Sequence, residues 1–162
     1  MTPSGGPLGA LEASSLGQAM RQWLWLYPSV EVVHIVGIGL LFGSIAVLDL
    51  RLLGFSRGIS VRRLARHVLP WTAASFLLIV PSGFAMFSAH ATEFIQSEVF
   101  VLKILLILAA GVNAALFHTI TLRSAAAWDS DGMPPVSARA AGAISLLLWI
   151  SVIACGRLLA YF

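Results

Sequence analysis

Charge is scarce in this chain. Only 10% of its 162 residues are Asp, Glu, Lys or Arg, against about a quarter in an ordinary soluble domain. Hydrophobic residues make up 59%, so a water-soluble globular fold is excluded. Cysteine is scarcer still. The single Cys155 excludes an intrachain disulfide and a thiolate metal cluster, and a lone cysteine in an apolar run reads as a small packing residue. The usual catalytic signatures are missing as well. There is no G-x-S-x-G elbow, no H-E-x-x-H pair and no P-loop, and the seven acidic residues are too scattered for an obvious carboxylate dyad. Hydrolytic chemistry therefore finds little support. The first 22 residues, with Pro3, Gly5, Gly6, Pro7 and Gly9, carry no charged segment followed by an apolar one. A cleavable signal peptide is not expected, and the first span serves as its own insertion signal. No internal repeat is visible.

What the chain has in quantity is long apolar runs, roughly Tyr27 to Leu50, Val68 to Ala89, Val99 to Thr121 and Ala140 to Phe162. Each is near the ~20 residues that a helix needs to cross ~30 Å of hydrocarbon. The expected fold is all-α: an integral membrane four-helix bundle over residues 23–162, preceded by a tail (residues 1–22) with a short interfacial helix over Leu11 to Arg21. Arg51, Arg57, Arg62, Arg63 and Arg66 lie between spans one and two, and Arg123 and Arg139 between spans three and four. The positive-inside rule makes these two loops cytoplasmic and puts both termini on the outer face. Topology thus explains the net charge of +3, and nucleic acid is not an expected partner. Trp23, Trp25 and Tyr27 read as an aromatic belt. The run from Trp128 to Pro135 reads as a turn, with a helix restarting after Pro135.

Two local features of the spans carry alternatives. Gly39 and Gly43 have the spacing that lets a second helix, or a flat cofactor, approach the backbone. Pro81, Ser82 and Gly83 should kink span two, because Pro81 removes a backbone hydrogen bond.

The four histidines, His34, His67, His90 and His118, all fall inside or at the ends of these runs. An ionisable group in hydrocarbon is costly and is by default a functional-site candidate. Imidazole also ligates haem iron, copper and zinc. Span directions put His67 and His118 at one level near the cytoplasmic side. His34 lies ~10 Å inside the outer boundary, with Glu31 one turn away on the same face, and His90 closes span two on the outer side. Arg157, Lys103 and Glu31 group near the depth of His34, and Asp49, Arg51 and Arg66 near His67 and His118.

A b-type haem needs axial imidazoles at similar height, small residues beside the macrocycle and basic groups for the propionates. On that reading His67 and His118 hold an inner haem, and His34 with His90 serves an outer one. Arg51, Arg66 and Arg157 take the propionates. The alternatives are a copper or other metal site of Glu31, His34 and His90 with Met86 nearby, or a scaffold subunit whose polar groups satisfy one another. Terminal histidines also serve as plain interfacial residues, Lys103 and Arg157 as snorkelling groups, and Asp49 with Arg51 as a cap and anchor.

The segments Tyr27-Pro28-x-x-Glu31-x-x-His34, Asp49-Leu50-Arg51-Leu52-Leu53-Gly54 and Gly156-Arg157-Leu158-Leu159-Ala160-Tyr161 resemble a family of small bacterial inner-membrane proteins known mainly as a domain of unknown function. The likeness covers nearly the whole chain after residue 22. More remotely, the plan looks like copper-resistance D-type and cytochrome b561-like membrane proteins. This resemblance implies a multi-pass protein of the bacterial inner membrane. If the cytochrome likeness holds, it implies one or two haems b on the four histidines and electron transfer with a quinone or a periplasmic redox partner. Such a protein is an electron carrier more than a stand-alone enzyme, packed against copies of itself or other membrane subunits.

Overall fold

The computed structural model describes residues 6–121, 125, 128–129, 133–159 and 161, and every regular element among them is helical. The order is α1 (Pro7–Glu12), α2 (Ser15–Gln22), α3 (Leu26–Leu52), α4 (Val61–Ala89), α5 (Ala91–Gln96), α6 (Glu98–Leu116), which runs on as a π-helical turn (Phe117–Thr121), and α7 (Val136–Leu158). Helices α3, α4, α6 and α7 are long and apolar enough to cross a membrane. They form a four-helix membrane bundle on the four expected spans. Arg123, Ser130, Asp131, Gly132, Ala160 and Phe162 lie outside the described residues, as do Pro3 and Gly5.

Local chemistry moves several boundaries. Ser60 caps α4 by accepting the Arg63 N–H at 3.2 Å. The helix therefore starts well before the apolar run and carries Arg62, Arg63, Arg66 and His67 in its first turns. Both Pro70 and Pro81 sit inside α4, which continues through them. The single interfacial helix expected over Leu11 to Arg21 is two helices. Ser14 breaks it, because its hydroxyl accepts the Gly17 N–H at 3.2 Å and starts α2. The segment after His90, between the second and third apolar runs, contains α5. The restart after Pro135 is as expected.

Packing is uneven. Helix α3 lies against α4 and α7, and α7 against α6, whereas α4 and α6 make no close backbone contact. The bundle thus has a seam between α4 and α6. Two glycines set the close crossings. A Cβ on Gly37 would sit 2.8 Å from the Ile79 side chain on α4, and one on Gly142 would sit 3.0 Å from the Asp49 carbonyl on α3. Gly39 and Gly43, in contrast, face open space, so their spacing serves no helix of this chain.

Each end of the seam is clasped. At the end that holds the termini, Phe87, Phe94 and Phe100 of α4, α5 and α6 stack with centroids 5.5 to 6.2 Å apart. Above them Glu12 accepts the Thr92 N–H of α5 at 2.7 Å, and this backbone hydrogen bond holds its carboxyl below the usual range. Arg21 ties the Ala89 and Glu12 carbonyls together at 2.7 and 2.6 Å.

At the arginine-rich end, Leu48, Leu52, Val61, Ala65, Phe117 and Ala138 form an apolar cluster. There Asp129 accepts the Ser60 hydroxyl at 2.7 Å and the Arg62 N–H at 3.1 Å, so a residue that follows α6 caps α4. Partial burial raises the Asp129 carboxyl, but the hydrogen bonds from Ser60, Arg62 and Val61 outweigh it and hold the group below its ordinary value.

A candidate cleft between the fourth and sixth helices

Between its two clasps the seam opens into a cleft of about 320 Å³ that all four long helices line, within the range of small-molecule sites. Its walls are apolar and partly aromatic, with Phe76 from α4, Phe117 from the π-helical turn and Trp149 from α7. Asp49, Thr72, Asn113, His118 and Ser145 are its polar lining.

Most of these groups are already engaged. The Thr72 hydroxyl lies 2.7 Å from that of Ser44 and 3.3 Å from the Val68 carbonyl, and the Asn113 amide donates to the Ala141 carbonyl at 3.0 Å. Asp49 is different. It is only 5% exposed and Ser145 hydrogen-bonds its carboxyl group, yet Oδ2 has no partner among the described residues. Leaving such a group unpaired in an apolar interior is costly.

His118 stands on the π-helical turn, a geometry that often marks functional sites because it re-aims a side chain. Its Nδ1 lies 2.8 Å from the Ala114 carbonyl. A carbonyl only accepts, so Nδ1 carries a proton and donates it to Ala114. The Phe117 ring stands edge-on to the imidazole at 5.5 Å.

The other candidates are dispersed. His67 is exposed on α4 and does not line the cleft, so the structure does not bring the level pair His67 and His118 together there. Arg66 is exposed beside it. Arg51, at 2% exposed, is occupied by the polypeptide itself. It donates to the Ile59 and Arg57 carbonyls at 2.6 and 3.1 Å and to the Asp129 carbonyl at 3.4 Å.

His34 sits between α3 and α4, with Nδ1 2.8 Å from the Ser82 hydroxyl. That hydroxyl gives its own proton to the Leu78 carbonyl, so it accepts from His34. A Cβ on Gly83 would lie 3.1 Å from the His34 ring, which is why glycine follows Pro81 and Ser82. Lys103 and Glu31 are the charges that act on His34. Arg157 instead donates to the Tyr161 hydroxyl at 2.6 Å and stacks over its ring. His90 pairs with Glu93 at 3.3 Å. Among the described residues, no three His, Cys, Asp or Glu side chains gather to hold a metal ion, so the grouping of Glu31, His34 and His90 gains no support.

Asn113, Ser145 and Trp149 join the cleft without standing among the sequence candidates, and Asp49 lines it where a cap is expected. The signal was there: each is a polar or amphipathic residue inside an apolar run.

Residues 10–162 match the profile of a family described as a family of unknown function (DUF6644). No curated protein and no solved structure matches the chain. These comparisons provide no link to copper-resistance D-type or cytochrome b561-like proteins.

Proposed function

Since the chain belongs to DUF6644, a family of unknown function, we propose from its own geometry that it is a membrane electron-transfer protein that takes a lipid-soluble redox molecule into the cleft between α4 and α6. The observation that carries this reading is the gap that α4 and α6 leave between them, which makes an apolar cleft with the polar residues Asp49 and His118 on its lining. A site that only packed helices together has no use for either. The chain's contribution is to bind and orient the molecule in a low-dielectric slot and to exclude water from it, while the redox chemistry belongs to the bound molecule.

The test is to purify the protein from its native membranes in mild detergent and extract what it retains. A lipid-soluble redox molecule should be present in near-stoichiometric amount in the wild type and absent from Ala114→Trp, which fills the cleft. Equal retention by the variant refutes the placement.

A second reading, haem b, has a specific observation in its favour. Metal-ligating imidazoles donate their remote ring N–H to a carbonyl or similar acceptor, and Nδ1 of His118 and of His34 each makes such a contact. The haem reading then rests on His118 and not on His67. A reduced-minus-oxidised spectrum with b-type bands, lost in His118→Ala and kept in His67→Ala, supports it. The opposite pattern refutes the assignment.

A further inference from the structure

Apart from the cleft, we infer a second site at the end of the bundle that holds the termini. Lys103, set between α6 and α7, anchors a phosphate there, brought by a lipid headgroup or as a free ion.

Lys103 is the chain's only lysine, nine arginines supplying its other basic groups. It stands among apolar residues in α6, past the helix start at Glu98 by about 7–8 Å at the helical rise per residue. The side chain lies across α7, where a Cβ on Gly156 would sit 3.4 Å from Nζ and 3.9 Å from Cε. Glycine at 156 thus leaves the ammonium its place against that helix. Lys103 is half-buried and near enough to act electrostatically on Cys155 of α7 and His34 of α3.

What it lacks is an acceptor. Among the described residues, no carboxylate lies within ion-pair distance of Lys103 and no hydrogen bond reaches it. Glu31 is exposed and acts on His34 and Tyr27, and Glu93 pairs with His90. The buried Arg51, by contrast, is met by three carbonyls. An ammonium has three donors to satisfy, and an unpaired cation drawn out of water is costly.

This cation can be met from outside. Among the described residues, the enclosed polar atoms without a partner are Asp49 Oδ2, Arg51 Nη1 and Thr92 Oγ1, and Lys103 Nζ is not one of them. Its best partner is an anion, because a hydrogen bond between charged groups is about twice as strong as one between neutral groups. Lysine binds phosphate as a point charge, and the bilayer's own phosphates are the oxyanions nearest this depth.

A single lysine makes the test specific. The purified protein in non-ionic detergent is treated with an amine-acylating reagent, and acylation of Lys103 is read by peptide mass spectrometry. Dodecyl phosphate should protect Lys103, and dodecanol, the same chain without the charge, should not. The control for micelle charge is Leu102→Lys in a Lys103→Met background, which puts the amine at a half-exposed position beside it on α6. Half-protection of Lys103 should need about tenfold less dodecyl phosphate than the control, the size of one hydrogen bond to a charged group. Protection by inorganic phosphate as well supports a site for the free ion, and protection by dodecyl phosphate alone supports a headgroup site. Equal protection of Lys103 and the control shows an ordinary snorkelling lysine and overturns the site. So does an unprotected Lys103 in the wild type, a result that depends on no variant folding.

Discussion

Replacing Arg51 with methionine should destabilise the protein more than replacing any exposed arginine. The guanidinium is 2% exposed and its two shorter bonds, to the Ile59 and Arg57 carbonyls at 2.6 and 3.1 Å, hold the turn that joins α3 to α4. That turn depends on Gly54 at a φ of +104°, so its carbonyls have few other ways to be satisfied. A hydrogen bond to a charged group contributes about 1.5–3 kcal/mol net. The third contact, to the Asp129 carbonyl at 3.4 Å, is too long to add much. Against this, Nη1 of Arg51 is buried with no partner, a cost of about 1–3 kcal/mol that methionine removes. The expected loss is therefore about 2–4 kcal/mol, at the upper end for a single substitution. Denaturation at fixed detergent concentration, followed by tryptophan fluorescence, measures it. Arg66→Met, at an exposed position on the same side of the bundle, is the control and should shift stability by no more than about 0.5 kcal/mol. Arg51→Lys should recover less than half of the loss, because an ammonium lacks the planar fork that reaches several carbonyls at once. If Arg51→Met and Arg66→Met unfold together, the guanidinium is not holding the turn and the reasoning fails.

Two further predictions probe the clasp and the crossings. The Asp129 carboxyl is held below its ordinary value, so its contribution is fully present above about pH 4 and fades as the pH falls through the lowered value. The stability gap between wild type and Asp129→Asn should therefore be constant near neutrality and close on acidification; a gap that persists at the lowest pH the wild type tolerates contradicts the capping role. At the α3–α7 crossing, Gly142→Leu should split the bundle, since its Cβ would meet the Asp49 carbonyl at 3.0 Å and the Leu52 side chain at 3.1 Å. Gly39→Leu, which meets nothing within 4 Å, should leave the monomer's thermal midpoint unchanged. Equal loss in both variants would show that the crossing is misplaced.

The four spans were legible because their signal is length and apolarity, which one strand of sequence carries by itself. Depth was legible for the same reason: rise per residue put His118 near the arginine-rich end and Lys103 near the height of His34. What could not be read was azimuth. His67 and Val68 are adjacent in sequence, yet Val68 lines the cleft and His67 is exposed on the outside of α4, because successive residues on a helix point ~100° apart. Equal depth therefore implied a histidine pair that the packing does not make. Arg51 misled in the other direction. Its place at a span end suggested a propionate partner, but carbonyls from residues 6, 8 and 78 positions away claim it, and only the fold shows that Ile59, Arg57 and Asp129 converge there. The Gly39 to Gly43 spacing shows the same limit: the glycine that α4 needs is Gly37, on another face.

The seam itself has a physical origin in these details. Small residues on a membrane helix normally let a neighbour approach closely, and α6 presents Ala110, Gly111 and Ala114 toward the cleft. Helix α4 does not close on them. It is fixed at one end through Ser60 by Asp129 and at the other through Ala89 by Arg21, and it faces the gap with the bulky Phe76. With no hydrophobic drive between helices in lipid, nothing forces the gap shut. Such a space fills with whatever the bilayer supplies, and an acyl chain would satisfy its apolar walls. Asp49 lies behind those walls, its unpaired Oδ2 enclosed by the bundle itself, so what a guest in the cleft meets is the apolar lining.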